Sequence, residues 1–161
     1  MIAAKSRRRK VHYNTLEEMR LDIDFFAQHE YVTVGNWTYS QILTHLYRYI
    51  NASFDGYPFL LPTPLRRMLH LARKPILRYS FVSGFKIPKK ARALEPIDAD
   101  DLETALDRIH DAIYRLGDHV PGRENPVLGH LTYDEWIECH LRHAELHMSF
   151  VIPASGEVAD E

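Results

Sequence analysis

Apolar residues return at three- and four-residue steps in four separate stretches, which predicts four amphipathic helices. In the first, over residues 15–29, Leu16, Met19, Ile23, Phe26 and Ala27 form the stripe, with Glu17, Arg20 and Asp24 opposite. Asn14 with Glu17, or Thr15 with Glu18, can close its start as a capping box. The second, over residues 39–54, sets Ile42, His45, Leu46, Tyr49 and Phe54 on one face. Thr38 with Gln41 caps it, Trp37 can staple onto Ile42, and Asp55-Gly56 ends it. Only a short turn at Gly35-Asn36 precedes it, so the first two helices are expected to be antiparallel neighbours. The third, over residues 101–116, carries Leu102, Ala105, Leu106, Ile109, Ala112, Ile113 and Leu116, with His110 at the border. Asp100 with Glu103 is its expected cap and Gly117 its expected end. The fourth lies within residues 132–151, with Thr132 and Glu135 as a capping box, Leu131 stapling to Trp136, and Pro153 as its stop. No stretch alternates as a strand would, and no internal repeat is visible.

Between the second and third helices, six prolines from Pro58 to Pro96 preclude any long helix. Residues 65–71 and 76–81 can form short helical turns there. The pattern predicts an all-α chain: a four-helix bundle with a long, irregular, partly helical crossover. At 161 residues it is expected to be one domain over 1–161, with 1–12 and 154–161 as flexible tails. The crossover, residues 57–92, is also where the charge is uneven. Arg66, Arg67, Arg73, Lys74, Arg78, Lys86, Lys89, Lys90 and Arg92 occur with no acidic residue from Gly56 to Leu94. A packed connection with solvated charges, an anionic-substrate rim, a membrane-surface patch and a self-association surface all fit that composition.

Charge over the whole chain excludes more than it suggests. A net charge of −2 gives no overall attraction to nucleic acid, and the basic start lacks the interleaved aromatics that base stacking needs. No apolar run is long enough to span a membrane, and nothing after MIAAKSRRRK resembles a secretory h-region. The single cysteine, Cys139, rules out an intramolecular disulfide, so a cytoplasmic, reducing setting is expected.

Histidines change the reading of the fourth helix. Its stripe consists of Trp136, His140, His143, His147 and Met148, where leucine and valine would be ordinary. His143 and His147 sit four apart and can reach one metal ion, and His45 points inward from the second helix. Three imidazoles suit a divalent Zn, Ni or Fe ion and leave a position open to water or substrate. Each histidine alone equally fits a buried, hydrogen-bonded group. His140, one turn before the pair, and Tyr49, one turn beyond His45, are candidates for the surrounding pocket, as is His110. Cys139 fits a small buried hydrophobe better than a ligand. Glu138 and Glu145 fall away from the stripe, so no catalytic residue is assigned.

These residues carry a family resemblance. A histidine in the second helix, within QILTHL, and an HxxxH pair in the fourth, HAELH, resemble the DinB-like (YfiT-like) superfamily of metal-binding four-helix bundles. RRKVHYNTLEEM, GNWTYSQILTHL and NPVLGHLTYDEWIECHLRHAELHMSF are similar, in order, to the domain-of-unknown-function family fifteen-sixty-nine within it. The resemblance implies a ligand triad at His45, His143 and His147. It implies metal-dependent activation of a small-molecule thiol toward an electrophile, as in S-transferases, or hydrolysis, and a homodimer. The alternative is a non-catalytic metal- or ligand-binding module, or an interaction module acting through the crossover 57–92.

Overall fold

The computed structural model describes residues 8–79, 81 and 89–154, with the backbone alone at Arg92. The chain is mainly helical. In order it forms α1 (Leu16–Gln28), β1 (Tyr31–Thr33), α2 (Tyr39–Asp55), α3 (Thr63–Leu71), α4 (Arg73–Arg78), a 3-10 helix (Lys89–Leu94), α5 (Leu102–Asp118), α6 (Tyr133–Met148) and β2 (Val151–Pro153). No described helix is long and apolar enough to cross a membrane.

Two of the expected capping boxes are present. Thr38 and Gln41 exchange bonds at the start of α2, and Thr132 and Glu135 do the same for α6. At α1 the Thr15 hydroxyl accepts from the Glu18 amide, while Glu18 reaches back to the Asn14 amide. The start of α5 differs from expectation. Asp101, not Asp100, is the cap, bonding the Thr104 amide and hydroxyl. Asp100 is drawn instead to the Tyr47 hydroxyl (2.7 Å) and the Arg108 guanidinium (3.1 Å). Gly117 does not end α5. The helix runs through it to Asp118, whereas Gly56, with φ 116°, does close α2.

The expected end of the fourth helix fails too. α6 ends at Met148 rather than at Pro153, because residues 151–153 form a strand paired antiparallel with β1, Tyr31 opposite Pro153 and Thr33 opposite Val151. Three residues are too few to display an alternating pattern, so the sheet was not legible in advance. Bonds from the Val34 amide to the Phe150 carbonyl (2.9 Å) and from the Ala154 amide to the Glu30 carbonyl (3.1 Å) lengthen this clip. It consumes the link between α1 and α2. α1 and α2 meet where the Tyr39 hydroxyl donates to the Ile23 carbonyl (2.7 Å), and α2 packs most extensively on α5.

The main core is shared by α1, α2, α5 and α6 and includes Met19, Ile23, Phe26, Ile42, Leu46, Ile109, Leu116 and Met148. A smaller cluster, Leu77 with Leu128 and Cys139, sits under the crossover. The short helices expected in the crossover are present as α3 and α4, though Phe81 is not helical. Part of the expected N-terminal tail makes specific contacts. Arg9 pairs with Asp22 and donates to the Val151 carbonyl, and Arg142 donates to His12 Nδ1 (2.8 Å). The acidic stretch 157–161 lies outside the described residues.

One buried ion pair fastens residues 12–13 to α6. Glu145, 2 % exposed, accepts from the Tyr13 amide (2.8 Å) and pairs with Arg142 (3.1 Å), which also donates to His12 Nδ1 (2.8 Å). Removing one member leaves the other charge buried without compensation. Glu145→Ala is expected to destabilise the fold by about 3–5 kcal/mol in denaturant unfolding. The double substitution Arg142→Met/Glu145→Met should cost clearly less than the single one.

Candidate metal centre

The site is built from α2, α6 and the crossover. On α6, His143 and His147 stand one turn apart, so their rings share a face. On α2, His45 is 4 % exposed and faces them. The His45 Nε2 lies 3.1 Å from the His143 Nε2, and the His147 Nε2 lies 3.1 Å from the same His143 atom. All three candidate ligand atoms fall within 4.8 Å of one another, and the group could hold a metal ion. The two 3.1 Å separations fit: bonds of about 2.0–2.1 Å place ligand atoms about 3.3 Å apart on a tetrahedral ion and about 3.0 Å apart on an octahedral one.

The other His45 nitrogen settles which tautomer is present. Nδ1 lies 2.5 Å from the Leu94 carbonyl, which can only accept, so Nδ1 carries the proton and Nε2 the lone pair. Leu94 closes the 3-10 helix, so the crossover orients a residue of the site. Nothing in the sequence marks this contact, because a backbone carbonyl 49 residues away has no side-chain signature.

Protons alone serve this arrangement poorly. A protonated His143 Nε2 can donate well to only one neighbour, and an unprotonated one turns its lone pair at that of His45. Charging the rings is disfavoured as well. Burial holds His45, His143 and His147 below the ordinary imidazole range, and their mutual repulsion adds to this at His143 and His147; the value for His147 is pushed down to about 3. A cation at the centre would satisfy three lone pairs together, which makes the donor set a good fit to a divalent ion.

Aromatic rings enclose the triad. Trp37 lies parallel to His147 (centroids 5.2 Å, 12° between planes) and 5.0 Å from His45. It was expected to staple onto Ile42; half-buried, it packs on the core containing Ile42 while also covering the histidines. Tyr49 lies 4.1 Å from the His143 ring, and burial keeps its phenol protonated, a donor rather than a base. His140 stacks on Trp136 (5.4 Å, 16°), and neither of its ring nitrogens has a hydrogen-bond partner among the described residues. His110 does not join this group; its Nε2 lies 2.7 Å from Asp24 on α1. Cys139 is buried beside Asn125, and burial pushes its thiol up to about 12, far from a thiolate. Glu145 is committed to Arg142 and Tyr13.

Burial also holds His140 down to about 3, below the unfolded value of 6.5. The unfolded chain therefore takes up protons first, so stability is full above about pH 6.5 and declines as pH falls toward 3. His140→Phe, which removes a buried group with no partner among the described residues, should flatten this acid decline in unfolding titrations. An unchanged pH dependence would contradict the assignment. Divalent metal titrated into the metal-free protein should alter tryptophan emission, and Trp37→Phe should remove most of that change while Trp136→Phe does not.

No curated protein and no solved structure matches the chain significantly. A family model described as "Protein of unknown function (DUF1569)" matches residues 5–154, and the chain belongs to that family.

Proposed function

We propose that His45, His143 and His147 hold one divalent ion inside a DinB-like four-helix bundle. On this reading the protein is a metal-dependent enzyme of the thiol S-transferase or hydrolase type. The observation that carries it is the convergence of three neutral imidazole nitrogens at ligand spacing, one of them oriented by a backbone carbonyl.

When bound, such an ion lowers the pKa of a coordinated water or thiol and so supplies a nucleophile near neutral pH. Three protein ligands leave room for that molecule. The chain's own residues do the rest. Leu94 fixes the His45 ring, and Trp37 shields the His147 side from water. Tyr49 packs its ring against His143, and its phenol, which burial keeps protonated, is held by Asn125, Tyr57 and Cys139. His140 places two buried ring nitrogens, without a hydrogen-bond partner among the described residues, one turn from His143. Zn, Ni and Fe all suit imidazole, and the reading covers all three.

The test uses protein purified without a histidine tag. Metal analysis should find about one divalent ion per chain, lost in His143→Ala and in His45→Ala. A panel of small-molecule thiols and electrophiles, together with activated esters, should reveal an activity that chelation abolishes and the same ion restores. Loss of the ion in His143→Ala should lower that activity by at least about 100-fold. No retained metal after exposure to Zn, Ni and Fe, or an activity indifferent to chelation, would sink the proposal.

A further inference from the structure

α3 is turned inside out relative to an ordinary surface helix. Its inward side is largely polar. Arg66 pairs with Glu124 (2.8 Å), His70 Nδ1 meets the Leu128 carbonyl (2.8 Å), and Arg73, just beyond its end, pairs with Glu135 (2.8 Å). Leu69 is the apolar member of that side, half-buried on the small cluster under the crossover. Its outward side is apolar. Leu65, Met68 and Leu71 follow at three-residue steps, and Leu71 is 82 % exposed. Leu60 before the helix and Tyr79 after α4 extend the exposed apolar surface. A helix normally buries such a stripe, and an exposed cluster of this kind marks an interaction site.

The charges around the stripe select the occupant. Arg66 and Arg73 are committed inward, whereas Arg67, Lys74 and Arg78 are exposed. No acidic residue occurs from Gly56 to Leu94. A second copy docking through this face by two-fold symmetry would set these cations against their own equivalents. An anionic lipid surface meets both requirements, since acyl chains accept a projecting ridge of Leu and Met while headgroups meet the rim cations. We propose that α3 and α4 form a peripheral docking surface for anionic membrane, with Leu65, Met68 and Leu71 inserted and Arg67, Lys74 and Arg78 on the headgroups.

The full chain is sedimented with vesicles of phosphatidylcholine with and without phosphatidylglycerol. Binding should occur on the anionic vesicles, be weak on neutral ones, and fall as salt is raised. Met68→Glu/Leu71→Glu should abolish it. Each of Arg67→Gln, Lys74→Gln and Arg78→Gln should lower partitioning about fivefold. These side chains are exposed, so thermal unfolding and metal content should match the parent, separating loss of docking from loss of fold or of the histidine site. Absence of binding to anionic vesicles, equal binding to neutral ones, or parent-like binding by Met68→Glu/Leu71→Glu would overturn the proposal. So would a dimer in light scattering that Leu71→Glu dissociates, since a second copy would then be the occupant.

Discussion

Three imidazole nitrogens share a space that protons alone serve poorly, and much of the chain is arranged to keep them there. His143 Nε2 lies 3.1 Å from a nitrogen on either side, and the Leu94 carbonyl fixes the outer nitrogen of His45. Holding neutral, mutually repelling rings this close requires support from several elements. The capping box at Thr38 sets where α2 begins, the four-residue spacing on α6 aligns the pair, and the β1–β2 clip ties the end of α6 to the segment that delivers Trp37. The crossover closes the site from the third side.

Much of this was legible in the sequence because it depends on periodicity. A histidine standing where a stripe demands leucine is visible, and the two stripes converge if the helices face each other. The ends of the helices were less legible. Consecutive acids at Asp100 and Asp101 offer two caps, and the choice is made by Tyr47 and Arg108, which are remote in sequence. The three-residue strands carry no pattern of their own and form only because each finds the other. Glu145 falls away from the histidine stripe, yet it and Arg142 are buried because residues 12–13 lie across them. In each case the deciding contact is long-range, and local propensity has nothing to say about it.

The crossover looked irregular in sequence yet takes part in two separate features. Its last turn supplies the carbonyl that orients His45, deep in the structure. Its first helix commits Arg66 and His70 inward and leaves Leu65, Met68 and Leu71 outside. The same acid-free composition thus contributes backbone to the interior and a basic, apolar surface to the exterior. The two features can be lost separately, because the exposed side chains of α3 are distinct from the residues that build the triad.

Anomalous diffraction from crystals soaked in zinc, recorded on either side of the zinc edge, addresses the central claim most directly. The account predicts one strong peak about 2.0–2.1 Å from the Nε2 atoms of His45, His143 and His147, with His45 Nδ1 still donating to the Leu94 carbonyl. A triad without density, or zinc found instead at a surface pair such as Asp24 with His110, would contradict it.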